Sequence, residues 1–252
     1  MIKVLDKTFS ILEEIVRATP HPVSPLEVAE RLGLNRATCS RIIKMLLDSG
    51  YVIQISRQAG YVAGPRILTL GNMAAFQSVL MKAAVPVIDR TAETLEDSAM
   101  ISQVWHGERY VLYLTNRNRR KNIRLNHLSY PDIYNTASGA VEMAYRTPED
   151  AMQLYDNMPD SARHWLLPEF QKRDQILREL GKIRKNGFYH SPRGEIGIFA
   201  FPVFSNRRFL ASFGCSVDIS KYTEEKIPLI LSTGKNAAKE ISGALSTTDY
   251  IG

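Results

Sequence analysis

LNRATCSRIIKMLLDSGY, Leu34 to Tyr51, decides how the N-terminal third of the chain folds. Cys39, Ile42, Ile43, Leu46 and Leu47 recur at i, i+3, i+4, i+7 and i+8, the spacing of one buried helix stripe. Asn35 stands where a helix cap belongs. The opposite face carries Arg36, Ala37, Ser40, Arg41 and Lys44, with Thr38 in the first turn, and no acid precedes Asp48. Small residues at a helix start let its backbone approach a surface closely. Basic side chains suit phosphates, and arginine can also fork onto a guanine edge in the major groove.

Working outward, Val4, Phe9, Ile11, Leu12, Ile15 and Val16 give a first amphipathic helix, broken at Thr19-Pro20-His21-Pro22. Ser24-Pro25-Leu26-Glu27 has the form of a capping box with proline at the first helical position. A second helix follows through Val28, Ala29 and Leu32 and stops at Gly33. Two short helices joined by a tight glycine turn, the second basic on its outer face, predict a helix-turn-helix. Tyr51 to Ile55 then reads as a strand, Arg57 to Gly60 as a turn and Tyr61 to Ala63 as the return strand. Such a hairpin is a wing, and Arg57 at its tip is placed to meet phosphate. The alternative is a three-helix scaffold whose basic face is only solvated.

Composition sets the limits. The chain has 252 residues, 44% of them hydrophobic, which suffices for two modest domains, and its formal net charge of +6 suits a nucleic-acid partner. Cys39 and Cys215 both lie in apolar patterns and read as small buried hydrophobes. The first residues contain acids and lack an apolar core, so no signal peptide is expected, and no run approaches the ~18 apolar residues of a membrane span. A cytoplasmic protein is expected. Gly-x-Ser-x-Gly, the phosphate loop and Gly-x-Gly-x-x-Gly are absent, and the five histidines show no metal spacing. We therefore expect no enzyme, no catalytic residues, no metal and no cofactor.

PVSPLEVAERLGLNRATCSRIIKMLLDSGYV, followed by GYVAGPRILTLG, resembles the N-terminal domain of the IclR family of bacterial transcription regulators. Gly60-Tyr61, Gly64-Pro65-Arg66, Leu68 and Leu70-Gly71 carry the more specific part, a wing return strand running into a linker helix. The resemblance continues more loosely to the C-terminus. It implies an α+β protein with an N-terminal winged helix-turn-helix at 1–64, a linker helix at 65–78 and an effector-binding domain at 79–252, built on an antiparallel sheet flanked by helices. It also implies double-stranded DNA and a small organic acid or aromatic effector as partners, no membrane, and homodimers or homotetramers on near-palindromic operators. The competing reading is a small-molecule-binding module, or a catabolic enzyme, whose N-terminal domain mediates protein contacts.

From Pro65 the chain reads as a helix whose apolar residues, Ile67, Leu68, Leu70, Met73, Ala74 and Phe76, exceed one stripe, as suits packing against a second chain. Leu80 to Leu95 reads as a helix with Pro86 inside it, Ser98 to Val104 and Arg109 to Leu114 as a hairpin. Arg117, Arg119, Arg120, Lys121 and Arg124 form a basic run, read as a solvated loop with a second DNA patch or attraction of an acidic effector as the rival. Pro168 to Lys185 is amphipathic, Ile196 to Val203 suits a central strand, Phe209 to Val217 the next, and Thr223 to Leu245 a final helix.

Asn135-Thr136-Ala137-Ser138-Gly139-Ala140 opens a helix whose start leaves amides free for a carboxylate. It resembles the family's effector-site motif, with Ala140 in place of a lysine. By the same resemblance effector contacts fall on the strands. The candidates are Met100, Thr136, Ala137, Ser138, Gly139, His190, Ser191, Glu195, Ile198, Gly214 and Ser216, of which Gly214 replaces a family serine and Ser216 keeps one. His190 to Glu195 is read as a loop before the central strand, and Arg193 there as an exposed turn residue.

Overall fold

The computed structural model describes residues 3–246, apart from 122, 124 and 126, so Arg124 of the basic run lies outside the described residues. Contacts divide the chain into two units, with the main division after Gln77.

In the first unit, α1 (Lys3–Ala18), α2 (Pro25–Leu32) and α3 (Arg36–Asp48) enclose a core of Ile11, Ile15, Val28, Cys39, Ile42, Ile43 and Leu46. The capping box closes as its sequence requires. Ser24 N donates to Glu27 at 2.7 Å, and Glu27 N donates back to the Ser24 hydroxyl at 3.2 Å. Asn35 Oδ1 accepts from the amides of Ala37 at 2.9 Å and Thr38 at 3.4 Å, which starts α3 at Arg36. β1 (Val52–Ser56) and β2 (Gly60–Ala63) form the antiparallel wing. Gly60 has φ +102°, and a Cβ there would strike the Val23 carbonyl, so only glycine lets the return strand bridge Val23 to Tyr61. α4 (Pro65–Gln77) buries none of its residues.

The second unit begins with α5 (Val79–Leu95), β3 (Ser98–Trp105) and β4 (Glu108–Asn116). Four helices follow: α6 (Ala137–Ala144), α7 (Pro148–Asp156), α8 (Asp160–Arg163) and α9 (Ile176–Asn186). β5 (Tyr189–Arg193), β6 (Ile196–Ser205), β7 (Arg208–Asp218) and α10 (Ile227–Ser246) complete it. The strands make one five-stranded antiparallel sheet in the order β4-β3-β7-β6-β5. Alternation along the strands splits the core in two. Phe199, Phe201, Phe213 and Ile101 pack with α5 and α10. Ala200, Val104 and Tyr189 face α6 and α9.

Three boundaries differ from the sequence reading. The segment after Pro168 forms two short 3-10 turns before α9 begins at Ile176, and Arg173 there is held in a bidentate pair with Asp156 at 2.8 and 2.7 Å. α10 starts at Ile227 rather than Thr223, because Pro228 has no amide to donate and belongs in a first turn. His190 to Arg193, read as a loop, belongs to edge strand β5, where Pro192 is tolerated since one side of an edge strand lacks a partner.

Candidate functional site

α3 presents its basic face to solvent. Arg36, Ala37, Ser40, Arg41 and Lys44 are exposed and Thr38 is half-buried, while Cys39, Ile42, Ile43 and Leu46 are buried. Arg36, Arg41 and Lys44 make no ion pair among the described residues. Arg57 is exposed in the turn of the wing. Unpaired cations on an outward helix face, with small residues at its start, are what a polyanion can approach. The cationic side chains of this unit that do work internally lie elsewhere. Arg31 and Arg17 both bind the nearly buried Glu14, at 2.9 and 2.7 Å. Arg66 packs over Tyr51 and donates to the Ser49 carbonyl.

Two cations of the basic run after β4 are engaged inside their own unit. Lys121 reaches the fully buried Asp97 at 3.0 Å, and Arg117 pairs with Glu93 at 3.1 Å. Asp97 also accepts from the backbone amides of Ser98 and Asp218 and from Asn118. These bonds tie the start of β3 to the end of β7.

Beside that junction lies a cavity of about 280 Å³ between the sheet and the start of α6. Register explains its floor. Ser98 faces Ser216, Met100 faces Gly214 and Leu114, and Ile198 faces Ser216, so these residues share the sheet face turned to α6. The Ser98 and Ser216 hydroxyls hydrogen-bond at 2.6 Å. A Cβ on Gly214 would lie 3.2 Å from Met100 Cε, so the glycine leaves the methionine its place in the floor. The roof is Asn135, Thr136, Ala137 and Ser138. Thr136 caps α6, its hydroxyl accepting from Gly139 N at 3.2 Å, and the first turn of a helix leaves amides without intrahelical acceptors. Asn135 Oδ1 and Ser138 Oγ are buried with no hydrogen-bond partner among the described residues. Arg193 lines the rim and donates to the Trp165 carbonyl at 2.8 Å. The cavity thus offers an apolar body space, hydroxyls, two unsatisfied polar atoms, a helix start and one guanidinium.

Of the residues expected here, Met100, Thr136, Ala137, Ser138, Ile198, Gly214 and Ser216 come together. Gly139 lies behind the wall, where a Cβ would collide with the Ile133 carbonyl, so it permits the close approach of the preceding turn. His190 and Glu195 lie outside this cavity's lining. His190 pairs with Phe199 across the strands and stacks on its ring, on the face opposite α6; its Nδ1 lies 2.8 Å from the Tyr222 hydroxyl, and burial lowers its pKa. Glu195 sits in the β5–β6 turn, outside the cavity lining. Ser191 is buried and its hydroxyl bonds to the Pro192 carbonyl, so it too is outside the lining. Arg193 is the converse case, a lining residue read as a turn. Its register partner Ile196 also lines the cavity, but that signal needs β5 to be known as a strand.

Both cysteines are buried, and burial raises their thiol pKa values, Cys215 up to about 12. No helix among the described residues is long and apolar enough to cross a membrane, and no cluster of three metal-ligating side chains occurs among them.

Comparison with known proteins agrees with this geometry. Residues 5–53 match the winged helix-turn-helix DNA-binding domain family. The transcriptional regulator TtgV of Pseudomonas putida is 26% identical over 193 residues, covering 74% of this chain and 69% of TtgV. An IclR regulator from Alicyclobacillus acidocaldarius has the same fold, with TM-score 0.83 at 19% identity over 97% of this chain and 99% of that one. An IclR homologue from Microbacterium hydrocarbonoxydans, solved with 4-hydroxybenzoate, gives 0.78 at 16% identity over 97% and 100%. The chain thus carries a winged helix-turn-helix DNA-binding domain followed by a five-stranded antiparallel sheet domain, and over nearly its whole length it has the fold of IclR-type transcriptional regulators.

Proposed function

We propose that α3 reads operator bases through Arg36, Arg41 and Lys44, with Ala37, Thr38 and Ser40 at the contact surface and Arg57 on phosphate. The observation that carries this is the exposed, unpaired basic face of a helix whose other face is fully committed to the core. Phosphate contacts make affinity fall with salt. α4, in a linker at 65–78, joins the two functional parts, which fall at 1–64 and 79–252. The exposed Leu68, Leu70 and Met73 of α4, and Val4, Leu5 and Phe9 of α1, are large apolar side chains left in water, which suits their burial in a homodimer. Sedimentation of the wild type against Leu68→Glu tests this; an unchanged dimer, or no dimer at all, contradicts it.

The effector in this reading is a small carboxylate with a short apolar or single-ring body, held at the start of α6. About 280 Å³ accommodates one ring, and Arg193, the α6 amides and the Ser98–Ser216 pair favour an anionic head. A Microbacterium relative bound to 4-hydroxybenzoate is consistent with that class. The ligand alters DNA affinity only through its differential affinity for two arrangements of the chain, typically ~1–3 kcal/mol. Calorimetry of the full chain with monocyclic aromatic and short aliphatic carboxylates, 4-hydroxybenzoate included, is the test. Saturable binding weakened by Gly214→Ile, which fills the floor, is expected. Binding by none of them, or binding untouched by that substitution, contradicts the assignment.

A further inference from the structure

A second cavity, about 900 Å³, lies at the other end of β3 and shares no lining residue with the first. Its walls are largely Trp105, Tyr110, Leu112, Tyr145, Phe209 and Leu210. Tyr145 and Phe209 stack within 5° of parallel, at 5.2 Å between centroids, and make a flat aromatic wall. Into this apolar lining α6 and the residues after it bring Glu142 and Arg146.

Both side chains are pinned by one backbone segment and each keeps an atom over. Glu142 is 3% exposed, and one of its oxygens accepts from Val104 N. Arg146 donates to Val104 O at 2.8 Å and stands 3.7 Å from the same Glu142 oxygen. Glu142 Oε2 and Arg146 Nε are buried without a hydrogen-bond partner among the described residues. One is an acceptor when Glu142 is ionised and the other is a donor. A hydroxyl satisfies both at once, since it gives one proton and offers two lone pairs. A carboxylate placed there would crowd a second anion against Glu142, and an ammonium would face the Arg146 guanidinium.

We propose that this cavity is a second small-molecule site, one that takes a neutral phenol or similar aromatic alcohol. The hydroxyl bridges Glu142 Oε2 and Arg146 Nε, and the ring lies among Trp105, Tyr145 and Phe209. α6 spans both cavities, its first turn lining one and Glu142 the other, so the second ligand acts on the helix that holds the first.

Trp105 lines the cavity and the chain's other tryptophan, Trp165, does not, so full-length Trp165→Phe protein has a single reporter at the site. Phenol should change Trp105 emission saturably, and benzoate should bind at least about tenfold more weakly. Glu142→Gln should weaken phenol about tenfold, because the amide presents a donor where the hydroxyl needs an acceptor. Since Glu142 is buried, Leu112→Trp provides a second arm. Leu112 is 37% exposed on edge strand β4, so an indole there fills the cavity without entering the core, and calorimetric uptake of phenol should vanish at an unchanged melting temperature. The proposal is overturned if phenol gives no saturable response, if benzoate binds as well, or if both variants bind phenol like the parent. It is equally overturned if binding disappears as the chain self-associates, which would make this face an interface between copies. None of these readouts involves the Thr136–Ser216 cavity, so failure here leaves the carboxylate assignment standing.

Discussion

α3 and α6 are both short helices with a side-chain N-cap, Asn35 in one and Thr136 in the other, yet they do opposite things with their surfaces. α3 buries one stripe and leaves a basic face in water. α6 buries every one of its eight residues and carries an acid, Glu142, into the interior. A helix with one wet face spends its polar residues outward, where they can meet a partner. A helix buried all round must satisfy its polar atoms inside, and those it leaves unsatisfied, Ser138 Oγ and Glu142 Oε2, mark two cavities.

The sharpest way to break this comparison is to put a charge on the dry side of α3. Ile42 is 5% exposed in the first unit's core, so Ile42→Asp should unfold that unit, a loss on the order of 4 kcal/mol or more, read as loss of its helical melting transition. A normal melt would mean the stripe is misplaced.

Glu142 tests the dry helix through pH. Burial pushes its carboxyl up to about 7, from an ordinary 4.5, against the opposing pull of the Val104 amide, Arg146 and Arg109. The folded state therefore holds a proton that the unfolded state has released between these values. Stability from this group is fully present below about 4.5 and is lost as pH rises through about 7, on the order of 3 kcal/mol in all. Glu142→Gln should flatten that part of the pH–stability curve measured by urea unfolding; an identical slope in both proteins contradicts the shift.

On the wet face, Arg41→Ala should cost operator binding roughly 1–3 kcal/mol while leaving the melting temperature unchanged, because the side chain is exposed on the face turned away from the core. Fluorescence anisotropy with operator DNA and a thermal melt of the same sample decide it. The smallest effect concerns the caps. Asn35→Ala should destabilise the first unit by ~1 kcal/mol without touching ligand binding, whereas Thr136→Ala should cost a similar amount and also weaken carboxylate binding. Equal behaviour of the two cap variants in ligand titrations would erase the distinction.

What could be read from the sequence follows the same divide. The 3.6-residue period of α3, the capping box at Ser24–Glu27 and the turn residues of the wing are local signals, and the structure realises each of them. The cavity was legible where the chain carries a local signature, at Thr136–Ser138, while Gly214 and Ser216 on β7 were reached only through the family resemblance. It was not legible at β5. Pro192 and Gly194 look like loop residues, and once that strand is missed the parity that sends His190 to the far face and leaves Arg193 at the rim cannot be assigned. The second cavity had no sequence signal, because Glu142 and Arg146 look like ordinary helical surface charges until the sheet is placed over them.

The most direct measurement for the central claim is selection of genomic fragments by the purified full-length protein, sequenced at low and high salt, run in parallel with Arg41→Ala. Recovery of a near-palindromic sequence beside a promoter, depleted at high salt and lost in the variant, is the expected result. Uniform recovery without a preferred sequence, or the same sequence selected equally by Arg41→Ala, would contradict recognition by the outer face of α3.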